Sequence, residues 1–149
     1  MGGALIKGWA KKGVHSLTIT ARTTQTLNRF SSEYPLIKTS LDNVEAVRGA
    51  DVVVLAVKPW LIEEVVAQIK GAIDFEHQVI LSVAANIFTD ALRSFLGNPE
   101  ANVFYVMPNI GAEFNESMSF LAPAEGVPAA LTATIEQLLQ QVGKVKVCK

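Results

Sequence analysis

Arg22, Thr23 and Thr24 follow directly on the short run Leu17-Thr18-Ile19-Thr20-Ala21. A guanidinium beside two hydroxyls suits a phosphate, whose oxygens accept charge-assisted hydrogen bonds, whereas a carboxylate at this point would repel one. The competing reading of Arg22 is an exposed loop arginine. A second set of candidates, Ala56-Val57-Lys58-Pro59, closes the apolar run that begins at Val52. Its backbone can approach a ligand, Lys58 is either a counter-charge or a solvated lysine, and Pro59 suits a first helical position. Ala84-Ala85-Asn86 and Met107-Pro108-Asn109 end two further apolar runs. Small residues leave a ring room to lie against the chain, although packing accounts for alanines nearly as well, and Pro-Asn by itself marks a turn. Asn43 reads as either an N-terminal helix cap or a polar ligand contact. His15 and His77 are far apart and read as surface histidines; the sequence shows no metal motif, and no catalytic side chain is assigned.

These candidates need a scaffold that brings the ends of several strands together. Leu17–Thr20, Val52–Ala56, Val79–Val83 and Val103–Val106 read as strands, with further short ones expected near 36–38, 119–122 and 145–147. The runs at 52–56 and 79–83 are apolar without alternation, as in parallel strands covered on both faces. Between them, helices are expected over about 3–12, 24–33, 44–48, 61–72, 88–96 and 130–142. Asp42, Pro59 and Thr89 are placed to start helices, and Gly13, Gly97 and Gly143 to stop them. Strand and helix alternating with short connections predict an α/β fold: a doubly wound, mainly parallel Rossmann-like sheet with helices on both faces. With no linker, repeat or low-complexity segment, residues 1–149 read as a single domain.

Composition sets the outer bounds. The chain has 149 residues, half of them hydrophobic, and a formal net charge of −1. That balance excludes a disordered tail and lends no support to nucleic-acid binding. A single cysteine, Cys148, forms no internal disulfide, and no apolar run approaches membrane-spanning length. A soluble cytoplasmic protein, with neither nucleic acid nor membrane as partner, is the expectation.

In this type of fold a dinucleotide lies across the carboxyl ends of the strands, with its pyrophosphate at a helix N-terminus that follows a strand and a glycine turn. The sequence opens at Met1-Gly2-Gly3-Ala4-Leu5, already in the expected helix. Those small residues serve either close helix packing or cofactor approach. A sheet without its first strand would leave neighbouring strands with unpaired backbone groups. At the end of the second strand NAD-binding folds place an acidic residue for the ribose; Arg22 and Thr23 favour NADP instead.

The ordered set resembles a known family, the pyrroline-5-carboxylate reductases. Met1-Gly2-Gly3-Ala4-Leu5-Ile6-Lys7-Gly8 is similar to the start of that family's first helix, with Gly2 matching the last glycine of its fingerprint. Asp42-Asn43-Val44-Glu45-Ala46-Val47, Ala50-Asp51 through Lys58-Pro59, Leu81-Ser82-Val83-Ala84-Ala85-Asn86 and Val106-Met107-Pro108-Asn109 continue in the family's order. Asn115-Glu116-Ser117-Met118 and Gly143-Lys144-Val145 complete it. Two departures are Asn86, where the family usually has glycine, and Ile110-Gly111-Ala112, where Thr-Pro-Ala is common.

The resemblance implies NADPH-dependent reduction of 1-pyrroline-5-carboxylate to proline, by hydride transfer to a cyclic imine. It implies cofactor contacts at Met1, Gly2, Arg22, Thr23, Asn43, Ala56, Val57, Lys58, Pro59, Ala84, Ala85 and Asn86, with Met107, Pro108 and Asn109 on the substrate side. It further implies an imino-acid substrate and a homo-oligomer in the complete enzyme. Against the family, the sequence reads as truncated at both ends, without the helical dimerisation domain. The alternatives are a reductase of the β-hydroxyacid dehydrogenase type and an inactive dinucleotide-binding fragment.

Overall fold

A computed structural model describes residues 2–11, 17–21, 23–35, 37–84, 86–107, 117–141 and 143–147. The order is α1 (Gly2–Lys11), β1 (Thr18–Thr20), α2 (Thr24–Glu33), β2 (Lys38–Ser40), α3 (Asn43–Val47), β3 (Val52–Leu55) and α4 (Ile62–Ile69), then β4 (Val79–Ser82), α5 (Thr89–Leu96), β5 (Val103–Met107), β6 (Ser117–Pro123), α6 (Ala129–Gln140) and β7 (Gly143–Val147). Strand and helix alternate as expected, with two local corrections, while Asp42 starts its helix as the sequence suggested. The second strand lies at 38–40 rather than 36–38. Gly143 opens β7 instead of stopping the preceding helix, which ends on Gln141 as its cap. Asp42, not Asn43, caps α3, its Oδ1 accepting from Val44 N–H at 2.9 Å and Glu45 N–H at 3.3 Å. Gly97 does stop α5, with φ 70°, a conformation glycine adopts without a Cβ penalty. Gly13 lies outside the described residues.

The strands form two sheets. β1 pairs with β2 in parallel, and a five-stranded sheet runs β3-β4-β5-β6-β7. In the larger sheet β3, β4 and β5 are parallel, β6 runs antiparallel to β5, and β7 is parallel to β6. Successive side chains point to opposite faces, so each strand feeds two cores. Val53, Leu55, Ile80 and Val103 pack on one face with Val47 of α3, Ile62, Val66 and Ile69 of α4, and Leu92 and Leu96 of α5. Val79, Leu81, Phe104 and Val106 pack on the other with Trp9 of α1 and Ile135 and Leu139 of α6. Ile19 of β1 meets Leu27 and Phe30 of α2, with Ile6 and Ala10 of α1 alongside. Helices thus cover both faces.

α4 shows how the sequence pattern produces this layering. Ile62, Val66 and Ile69 recur at helical spacing and are at most 1% exposed, while Glu63 and Glu64 face solvent in the first turn. Each such buried side chain contributes roughly 1.5–3 kcal/mol relative to exposure. Trp9 adds a polar tie, its indole N–H donating to Leu138 O at 3.0 Å and joining α1 to α6.

Among the described residues β1 does not pair with β3, and the two sheets are separate. Val79 N–H donates to Asp51 O and Val83 N–H to Leu55 O, both at 3.1 Å, so odd-numbered residues of β3 face β4. Val52 and Val54 accordingly direct their backbone groups away from β4. Hydrogen exchange followed by NMR should find the Val52 and Val54 amides exchanging about ten-fold faster, or more, than those of Val53 and Leu55, because neither has a ladder partner, worth ~1 kcal/mol, among the described residues. Equal protection across the four residues would contradict the open edge.

Candidate functional site

The parallel register Leu55↔Ser82 and Ser82↔Tyr105 brings the tips of β3, β4 and β5 to one edge. β1 and β2 contact α3. Gln78, just before β4, donates to Val47 O and Ala50 O at the far end of α3, which fixes that end at the starting edge of β3 and β4. β1 and β2 border one depression with α3, lined by Thr18, Lys38, Ser40, Glu45 and Arg48. Three strand tips thus share one edge of the larger sheet.

Thr23 is exposed and caps α2: its Oγ1 accepts from Thr26 N–H at 3.3 Å and lies 3.1 Å from Thr26 Oγ1. No acidic side chain occupies the first turn of α2. Past β3, Ala56 and Lys58 are exposed and Val57 packs partly into the core. The Lys58 carbonyl accepts from Leu61 N–H at 2.8 Å to close a 3-10 turn, with Pro59 at its first position as the sequence suggested. Asn43 opens α3, and its side-chain amide donates to Gln68 Oε1 at 3.2 Å, well along α4. Gly2 lies in α1. Met1, Arg22, Ala85, Pro108 and Asn109 fall outside the described residues.

The turn after β4 is the most fully specified part of the rim. Ala84 is 4% exposed, and its N–H donates to Oγ of Ser82, a side chain with no exposure at all. Ile87 N–H donates to Ala84 O at 3.3 Å. Asn86 has φ 65°, and its N–H donates to Tyr105 Oη at 3.4 Å. The Phe88 ring meets Tyr105 edge-on with centroids 5.0 Å apart. The sequence reading missed Ser82, Phe88 and Tyr105. One signal was present: Tyr105 carries the single polar group in the otherwise apolar run Val103-Phe104-Tyr105-Val106.

Large apolar side chains also face solvent beside the tips: Trp60 at 76%, Phe88 and Met107 at 54%, and Phe120, the register partner of Met107, at 43%. Short side chains, exposed backbone, a capping hydroxyl and a lysine are a donor set for a flat, phosphate-bearing ligand lying along the rim. Among the described residues no helix is long and apolar enough to cross a membrane.

The displaced titrations among the described residues lie at the other edge. Exposed Asp74, Glu76 and His77 cluster in the turn before β4. A 2.7 Å hydrogen bond from the imidazole to Asp74, together with its charge, raises the His77 pKa above 6.5. The same bond, aided by Glu76 N–H, lowers Asp74 below 3.8. Since His77 is raised, its contribution to stability is full below 6.5 and fades as pH climbs through the folded-state value. That of Asp74 is present above 3.8 and fades as pH falls through its own lowered value. An NMR titration should place His77 above 6.5, and Asp74→Asn should return it toward that value. An unchanged titration in the variant would remove Asp74 as the cause.

Comparison with known proteins adds an independent line. Residues 1–86 match the family model described as NADP oxidoreductase, coenzyme F420-dependent. The pyrroline-5-carboxylate reductase of Vibrio alginolyticus is 34% identical over 143 residues, an alignment covering 95% of this chain and 52% of that protein. A solved pyrroline-5-carboxylate reductase from Coxiella burnetii superposes with a TM-score of 0.90 at 25% identity, over 99% of this chain and 55% of that one. The Plasmodium falciparum pyrroline carboxylate reductase, solved with NADP bound, gives 0.86 at 20% identity over 100% and 54%. The chain spans about half the length of these relatives.

Proposed function

The chain belongs to the family of NADP oxidoreductases described as coenzyme F420-dependent, and from that membership we propose that it is the NADP(H)-binding half of a pyrroline-5-carboxylate reductase. The observation that carries the reading is the similarity to such reductases along 95% of the chain, in a fold whose strand tips share one rim. Reduced nicotinamide, when bound, supplies the hydride for the carbon of a cyclic imine whose protonated nitrogen becomes the secondary amine of proline.

The protein's share is binding, orientation and charge. Arg22, between Ala21 and the helix cap Thr23, is assigned to the adenosine 2′-phosphate. Thr23 Oγ1 already accepts from Thr26 N–H, so it offers the phosphate its proton, with the Thr26 hydroxyl as donor in their mutual contact. Met1 and Gly2 are assigned to the pyrophosphate at the start of α1, where unpaired N–H groups and the helix dipole favour an anion. Ala56, Val57 and Pro59 present backbone and a small apolar surface to the middle of the dinucleotide, and exposed Lys58 adds positive charge. Asn43, whose amide donates one N–H to Gln68 Oε1, keeps a second N–H and its Oδ1 for the adenosine side. Ala84, Ala85 and Asn86 receive the nicotinamide half, and Met107, Pro108 and Asn109 border the imino acid. Assembly as a homo-oligomer, a cytoplasmic setting and a helical domain completing the cleft belong to the same proposal, because the relatives are about twice as long.

NADPH fluorescence titration of this chain should show binding tighter than that of NADH by about ten-fold or more, the worth of one charge-assisted contact to the extra phosphate. Joining the chain to the remaining half of the Vibrio alginolyticus reductase should give NADPH oxidation that depends on pyrroline-5-carboxylate. Cofactor binding without that turnover, beside an active parent reductase, would overturn the substrate assignment. Absence of NADPH binding would overturn the cofactor role itself.

A further inference from the structure

We propose that the Tyr105 hydroxyl is a positioning group for the nicotinamide-facing turn after β4, holding Asn86 in the left-handed conformation that shapes it. The inference rests on the assignment of that turn to the cofactor. Among the described residues Asn86 is the one non-glycine with positive φ, at 65°; the others, at 70–83°, are Gly49, Gly97 and Gly126. Asparagine tolerates this region better than most residues but still pays for its Cβ, so the surrounding contacts must select it.

Those contacts come from two strands. From β4 itself, Ser82 Oγ accepts Ala84 N–H, and Ala84 O accepts Ile87 N–H, bending the chain back. From the neighbouring β5, Tyr105 reaches across the tip and accepts the N–H of Asn86 at 3.4 Å. Tyr105 is well placed to act as a fixed point. It is 7% exposed, its backbone is paired to Ser82 on one side and Ala122 on the other, and the Phe88 ring braces its own at 65° between planes. Ser82 and Phe88 thus locate the two ends of the turn, and the tyrosine oxygen locates its middle. Without that acceptor Asn86 is free to relax toward negative φ, which re-aims its own backbone in the turn.

The bond is at the long end of the usual range, so the expected effect is moderate. The test compares two probes on the 149-residue chain. NADPH spans the whole rim, whereas adenosine 2′,5′-bisphosphate carries the 2′-phosphate end and lacks the nicotinamide. Tyr105→Phe keeps the ring and its packing, and should weaken NADPH roughly three- to ten-fold while leaving the bisphosphate unchanged. With Asn86→Gly as background, the cost of Tyr105→Phe should shrink below about two-fold, since glycine adopts positive φ without an anchor. If the wild-type chain binds both probes but Tyr105→Phe leaves NADPH unchanged, weakens both probes equally, or costs the same in the Asn86→Gly background, the positioning role is overturned alone. If the wild-type chain binds neither, the cofactor assignment and this inference are overturned together.

Discussion

Gln78→Leu should lower the free energy of unfolding by about 2–4 kcal/mol, because it orphans polar groups that no nearby side chain can take over. Gln78 is 5% exposed and uses both ends of its amide. Its Nε2 donates to Val47 O and Ala50 O, each at 2.6 Å, and its Oε1 accepts from Asp74 N–H at 2.8 Å. Val47 O keeps a second donor in Ala50 N–H, so the larger loss falls on Ala50 O and Asp74 N–H. Leucine is close to isosteric, which keeps cavity formation out of the measurement. Urea unfolding should show a lower midpoint with an unchanged slope, and thermal unfolding a fall of about 5–15 °C. A loss below about 1 kcal/mol would mean that water or a backbone shift satisfies those groups. This glutamine also holds α3, which carries the β1–β2 pair, against the start of β4, so its loss should loosen the alignment of the strand tips.

Arg22→Asp should weaken NADPH about a hundred-fold while leaving NADH within a few-fold, a discrimination of ~2.7 kcal/mol. On the proposed assignment of Arg22, the substitution removes a charge-assisted contact to the 2′-phosphate, worth roughly 1.5–3 kcal/mol, and places a carboxylate beside a dianion. On NADH the new carboxylate has ribose hydroxyls to accept from, the pattern common to NAD-binding folds. Arg22 lies outside the described residues, but its neighbours bracket it: Ala21 follows β1, and Thr23 caps α2. Parallel fluorescence titrations with the two nucleotides measure the ratio directly. Equal weakening of both would point to a general loss of rim structure, and no weakening of NADPH would remove Arg22 from the phosphate site. Raised salt should shrink the wild-type preference, since an exposed phosphate contact is screened.

The layered α/β architecture and the candidate rim were legible because each rests on a local signal. Val79-Ile80-Leu81 and Val52-Val53-Val54-Leu55 contain no polar alternation, and all of them feed cores on both faces. Residues that end such runs must lie at strand tips, which is why Ala56, Val57, Ala84 and Met107 were found without coordinates. Pro59 and Gly97 were legible for a similar reason, since a fixed φ or an absent Cβ marks a helix boundary wherever it falls. Capping was less certain. Asp42 and Asn43 are both competent caps in sequence, and only the fold decides that the first binds the α3 N–H groups while the second turns to Gln68.

What the sequence determined by itself is the alternation of elements, the two-sided burial of the middle strands and the choice of arginine over a carboxylate after β1, all properties of neighbouring residues. Tertiary structure alone decided that Gln78 clasps the end of α3 thirty-one residues away in sequence, that Tyr105 braces Asn86 across a strand boundary, and that β1 and β3 lie in separate sheets. Those outcomes are pairings between distant segments. A hydrogen bond has no periodicity to read, and an amide or hydroxyl in the sequence does not disclose which distant group the folded chain will bring to it.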